Sequence, residues 1–154
     1  MNLPKKHEAL LWSIAFPGFG QFLNGRIIKG IVLIVLEFLV NTRSNFNSAI
    51  ISSFNGEIRK AVEVTNYQWL MFYPCLYMFA LWDAYRDADG KKTPFSYLPF
   101  VFGGFFVTVG LIYSQRIKPF GLLFGPVFLP MIFLIPGLFI GFIIYKFALK
   151  TNQK

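Results

Sequence analysis

An all-α, polytopic membrane fold is what this sequence predicts, and three observations carry it. The chain of 154 residues is 55% hydrophobic and 19% aromatic but only 14% charged, where a soluble domain carries about a quarter charged residues. Twenty phenylalanines would coat a soluble fold of this length with exposed apolar surface. The apolar residues also gather into five runs, at 9–23, 27–42, 67–86, 95–114 and 119–145. Basic residues stand in twos and threes between them: Lys5 and Lys6, Arg26 and Lys29, Lys91 and Lys92, Arg116 and Lys118, then Lys146, Lys150 and Lys154. Cations so placed flank membrane spans, so the net charge of +8 argues for a bilayer and against nucleic acid.

The run at 9–23 is short and broken. About 15 residues of helix reach roughly 22 Å, less than the ~30 Å hydrocarbon core, and Pro17 and Gly18 interrupt it. It resembles a signal peptide in having a basic patch before an apolar run, but no small-x-small cleavage site follows, so it reads as retained. Either it lies in the interface or dips in and returns, or it is a short, distorted span. The 27–42 run is a marginal span, and 67–86, 95–114 and 119–145 are long enough to cross.

Charge counting arbitrates. If 9–23 does not cross and the N-terminus is cytoplasmic, the inner side holds Lys5, Lys6, Arg26, Lys29, Arg86, Lys91, Lys92, Lys146, Lys150 and Lys154. The outer side then holds Arg43, Arg59, Lys60, Arg116 and Lys118, half as many. Five crossings would remove that asymmetry, so the expectation is four spans with both termini cytoplasmic. Tyr67, Trp69, Trp82, Tyr85, Tyr97, Tyr113 and Tyr145 near the ends of the runs suit interfacial belts. Between spans, the loop 43–66 places Ile51, Phe54, Ile58 and Ala61 at helical spacing; an interfacial amphipathic helix and a solvated loop are both open.

PGFGQFLNGRIIKG, residues 17–30, is the most distinctive segment. Its glycines permit tight turns, Gln21 and Asn24 carry amides that are costly to bury unpaired, and Arg26 and Lys29 put charge at a membrane surface. It is not a phosphate loop, because Gly20 and Gly25 are followed by Arg26 and Ile27 rather than Lys and Ser/Thr. A tight turn between membrane helices and a basic turn that meets anionic lipid headgroups are its two readings. Pro17, Gly18, Gly20, Gln21, Asn24, Gly25, Arg26 and Gly30 resemble the signature of the TM-two domain family, small modules of paired membrane helices, and Trp82-Asp83 resembles the family's closing aspartate. Two departures stand out: Leu23 occupies a position where an aromatic is common, and the aspartate comes after a long insertion. The resemblance implies a membrane hairpin over 9–42 and carries no particular chemistry.

Glu37 lies near the middle of the 27–42 run, where an ionised side chain costs about 2.5–3.5 kcal/mol on insertion scales. It must face other helices, be protonated, or pair, with Gln68 and Asn41 as candidate neighbours. Asp83, Arg86, Asp87 and Asp89 cluster at the inner end of the third run, level with Arg26 and Lys29. A solvated, self-neutralising helix end is one reading; in the other, an Asp83–Arg26 or Asp83–Lys29 pair locks the two parts together and Arg86 has a lipid phosphate as its other candidate partner. Arg86 amid the carboxylates argues against a divalent cation there. The last run carries Gly121-x-x-x-Gly125 and Gly137-x-x-x-Gly141 with Pro126, Pro130 and Pro136, features of close helix packing or self-association.

Cys75 is the lone cysteine, and His7 the lone histidine, lies in the N-terminal tail. No nucleophile–base pair, metal-ligand set or cofactor motif is legible, so no enzyme is expected, and no cofactor. The leading expectation is a multi-pass protein of the cell membrane, suited to a bacterial inner membrane, that works by interaction or scaffolding. The alternative is an oligomeric transport component for protons, small solutes or lipid that uses Glu37.

Overall fold

Proline and glycine set most of the helix ends. The computed structural model describes residues 5–90 and 93–152; Lys91, Lys92 and Lys154, three of the cations counted on the inner side, lie outside the described residues. Helix makes up 81% of the chain, with no strand among the described residues, so the fold is all-α.

Helix α1 (Lys6–Ala15) stops where Pro17 forces its predecessor Phe16 into an extended conformation. Gly18, at φ 108°, then reverses the chain into the short α2 (Phe19–Leu23). After the turn at Asn24–Arg26, α3 (Ile27–Ser44) runs 18 residues, two beyond the expected 27–42. The 43–66 segment holds two helices, α4 (Phe46–Phe54) and α5 (Ile58–Val64), parted at Asn55-Gly56. A single amphipathic helix is thereby excluded, since Gly56 takes φ 80°.

The expected 67–86 span is interrupted: α6 (Tyr67–Leu70) and α7 (Tyr73–Asp87) are separate helices. Pro74 has no N–H to give the Leu70 carbonyl, so the hydrogen-bond ladder skips a turn. Met71 and Phe72 keep near-helical angles, and the two pieces continue one another. Helix α8 (Leu98–Tyr113) starts three residues later than expected, after a turn in which Phe95 has φ 59°. The expectation of a span from 119 is corrected more strongly. Pro119, Phe120 and Gly121 form a 3-10 turn with Phe120 at φ 56°, and Gly125 has φ 68°, so α9 (Gly125–Asn152) begins only there and runs 28 residues.

The long helices α3, α7, α8 and α9 run antiparallel to one another in turn. Lys29 meets Asp83 and Glu37 meets Tyr73, so α3 runs against α7. Trp82 meets Tyr97 while Tyr67 meets Ser114, so α8 runs against α6 and α7. Gly110 sits on Pro130 and Gly141 on Pro99, so α9 runs against α8. Helices α4 and α5 close the far end over the start of α9, with Phe54 against Phe128 and Ile58 against Gly125.

Among the described residues, α9 is the one helix long and apolar enough to cross a bilayer by length and composition. Helix α8 is apolar but 16 residues long, and α3 carries Lys29, Glu37 and Arg43. Length and composition alone thus license one crossing rather than the four expected. Large apolar side chains nonetheless face outward on several helices, among them Ile28 and Phe38 of α3, Phe105 of α8, and Ile135 and Phe139 of α9.

Candidate functional site

The amino-terminal hairpin is built to lie flat against α7. Gly20 makes this possible: a Cβ there would overlap Ser13 and the Ala9 carbonyl and come within 2.8 Å of the Ala84 Cβ. Ala9, Ala84 and Ala88, all fully buried, form the small-residue seam on which α1 rests. With backbones this close, short amides reach across. Gln21 Nε2 donates to the Ala80 carbonyl at 2.8 Å and to Asp83 Oδ2 at 3.3 Å, and Asn24 Nδ2 donates to the Ala84 carbonyl at 2.8 Å. Tyr77 donates its hydroxyl to the Ile14 carbonyl at the hairpin tip. Gly18 and Gly30 pack together where the tip meets α3, and Pro17 and Gly25 mark the two turns of the segment.

The charged residues converge at the open end of this hairpin. Asp83 is 2% exposed and receives Lys29 Nζ at 2.8 Å and Arg86 Nη2 at 2.8 Å, besides Gln21. Lys29 also reaches Asp87 at 2.9 Å, and Asp87 accepts from Arg86 Nε at 3.1 Å and lies 3.4 Å from Arg26 Nε. Of the two expected pairs, the structure forms Lys29–Asp83; Arg26 reaches Asp87 and not Asp83. Asp89 stays exposed at φ 59°, outside the cluster. Among the described residues no group of His, Cys, Asp or Glu is placed to share a metal ion.

Burial alone would raise the pKa of Asp87, which lies just beyond the 67–86 stretch. Hydrogen bonds from Lys29 and Arg86, together with their charges, outweigh that and hold the carboxyl below the usual carboxylate range.

Glu37 sits two turns deeper than Lys29 and is 4% exposed. Its Oε1 accepts from the Tyr73 hydroxyl at 2.9 Å, while Oε2 is buried with no partner among the described residues. Of the expected neighbours Gln68 and Asn41, Asn41 does lie beside Glu37, though its amide donates to Asn47 at 3.1 Å; Tyr73 was not among those expected. Tyr73 and Tyr77 stack with ring centroids 5.6 Å apart, so Glu37, Tyr73, Tyr77 and the Ile14 carbonyl make a polar file between α3 and the hairpin. The signal that could have found it is a pair of tyrosines at i and i+4 inside an apolar run, away from either end.

Gly137 and Gly141 are occupied within the chain: a Cβ on Gly141 would lie 2.6 Å from Pro99 Cα, and one on Gly137 would lie 2.8 Å from the Phe102 carbonyl. Gly121 lies outside any α-helix with open space around it, and Gly125 packs on Ile58, so Gly121-x-x-x-Gly125 is no helix-packing motif.

The chain matches no family model, no curated protein and no solved structure.

Proposed function

We propose that this chain is a four-span membrane protein with a re-entrant amino-terminal hairpin, and that it serves as an interaction scaffold with both termini cytoplasmic and no catalytic centre of its own. The observation that carries the reading is the hairpin's return: Ala9 at its start and Asn24 at its end both pack at Ala84 of α7. Entry and exit at one level mean that 9–23 dips in and comes back. The helices that follow alternate in direction, as spans joined by short loops do, and outward apolar side chains on α3, α8 and α9 favour lipid around them. Lys146 and Lys150 continue α9 past Gly141, which lies at Pro99, and so fall at the same end as Arg26 and Lys29, in keeping with an inner excess of cations. On this reading the likeness to TM-two modules is a likeness of construction, a close-packed hairpin fixed by an aspartate.

Scaffolding rather than transport is favoured because the inner donors serve packing: Gln21 and Asn24 fix the hairpin on α7, Lys29 ties α3 to it, and Arg86 braces Asp83 and Asp87 within α7. The test is a flux measurement on proteoliposomes. Proton and solute fluxes should equal those of protein-free vesicles, and a flux that appears with wild type and disappears in Glu37→Gln would overturn the scaffold reading. The unpartnered Glu37 Oε2, at the head of the tyrosine file, is the observation that favours that second, transport reading.

A further inference from the structure

The seam between α7 and α8 is not filled. A groove of about 460 Å³ runs along it, within the range that holds small ligands. Its walls are Cys75, Met78 and Trp82 from α7 and Phe100, Gly104 and Thr108 from α8. The rim is open on the outward side, where Phe79, Val101 and Phe105 are each more than half exposed. Thr108 turns its hydroxyl to the Gly104 carbonyl at 2.8 Å, so its hydrogen-bonding demand is met by its own helix. The groove is therefore apolar along its length and polar at one end only.

That end carries two donor groups with capacity left over. Trp82 Nε1 is buried and has no acceptor among the described residues. Arg86 lies over the Trp82 ring at 4.5 Å; its Nε and Nη2 are taken by Asp87 and Asp83, and no described residue accepts from Nη1. Arg26, Lys29 and Arg86 face only Asp83 and Asp87, which leaves one positive charge in excess.

We propose that this groove binds one acyl chain of an anionic glycerophospholipid, with the chain along the Trp82 ring and the phosphate meeting Arg86. The chain would descend past Gly104 toward Thr108, from the inner interface to mid-membrane. The proposal rests on the membrane reading above, because the groove must open to lipid.

Quenching of Trp82 tests it. In a Trp12→Phe, Trp69→Phe variant, Trp82 is the sole indole, and vesicles are prepared with bromine on the acyl chains of either phosphatidylglycerol or phosphatidylcholine. Brominated phosphatidylglycerol should reach half-maximal quenching at about fivefold lower mole fraction, the preference of one basic group for an anionic lipid. Arg86→Gln should erase that preference, and Gly104→Leu should lower quenching by both lipids by filling the groove. Cys75 gives a reading without further substitution: its alkylation by an apolar maleimide should be slower in phosphatidylglycerol than in phosphatidylcholine. Equal quenching and equal alkylation in the two lipids would overturn the site while leaving the membrane reading intact. Recovery of the chain in the aqueous fraction, with no quenching by either lipid, would overturn the membrane reading itself.

Discussion

Asp83 is where the hairpin, α3 and α7 are tied together. A buried carboxylate is tolerable only if donors surround it, and Asp83 has three: Lys29, Arg86 and Gln21. Asp83→Asn keeps the shape and removes the charge, leaving Lys29 and Arg86 to Asp87 and, since both are over a third exposed, to water. The expected loss is about 1–3 kcal/mol in thermal unfolding from detergent micelles. Arg26→Ala should cost under about 0.5 kcal/mol, because Arg26 is exposed and its contact with Asp87 is long. Asp87 adds a pH dependence of defined sign. Its folded pKa lies below the ordinary value of about 3.9, so its contribution is complete above that pH and is lost as pH falls through the lower folded value. The stability gap between wild type and Asp87→Asn should thus hold from neutral pH to about pH 4 and shrink below it. A gap unchanged into stronger acid would show that the carboxylate charge is not what Lys29 and Arg86 hold.

The hairpin on α7 and the α8–α9 pair each rest on their own small-residue contact, so these elements can be loosened one at a time. Gly20→Ala puts a methyl against the Ala9 carbonyl and Ala84, and overpacking of this kind costs about 1–3 kcal/mol. Amide hydrogen exchange should rise in residues 6–23 and stay unchanged in α8 and α9. Gly141→Ala collides with Pro99 and the Leu98 carbonyl and should do the reverse. Exchange that rises throughout in both variants would mean that hairpin and bundle unfold as one unit. These elements were unevenly legible beforehand. Helix 27–44 was readable because an apolar run between charges is also a helix, and the Lys29–Asp83 pair because both charges flank spans at one level. The breaks at Met71-Phe72, Phe95 and Phe120 were not. Hydropathy reports a preference for lipid or core, and phenylalanine keeps it even with φ at 59° or 56°. Tyr73 was missed for a similar reason, since an aromatic inside an apolar run reads as packing while its hydroxyl goes unnoticed.

Across the whole molecule, the four-span reading proposed above requires helix lengths to be reconciled with one slab of lipid about 30 Å thick. At 1.5 Å per residue, α3 spans roughly 27 Å, α6 and α7 together roughly 31 Å, α8 roughly 24 Å and α9 roughly 42 Å. Helix α8 is the short member, and the turn residues on either side of it, Phe95 to Tyr97 and Ser114 to Ile117, must make up the difference or the bilayer must thin beside it. Helix α9 is the long one, and its excess lies at the Lys146–Lys150 end, so on that reading its last turns stand clear of the membrane. The hairpin adds no crossing because its two ends share a level. Reporter fusions after residues 24, 45, 92 and 117 should therefore read inside, outside, inside and outside. Position 24 decides between the alternatives: a true span over 9–23 would place it opposite to Lys6, whereas Lys6 bonds Thr93 and Asn24 bonds Ala84, both at the same end of α7. An outward reading at 24 would break the four-span arrangement, and with it the inner placement of Arg26 and Lys29 on which the lipid site depends.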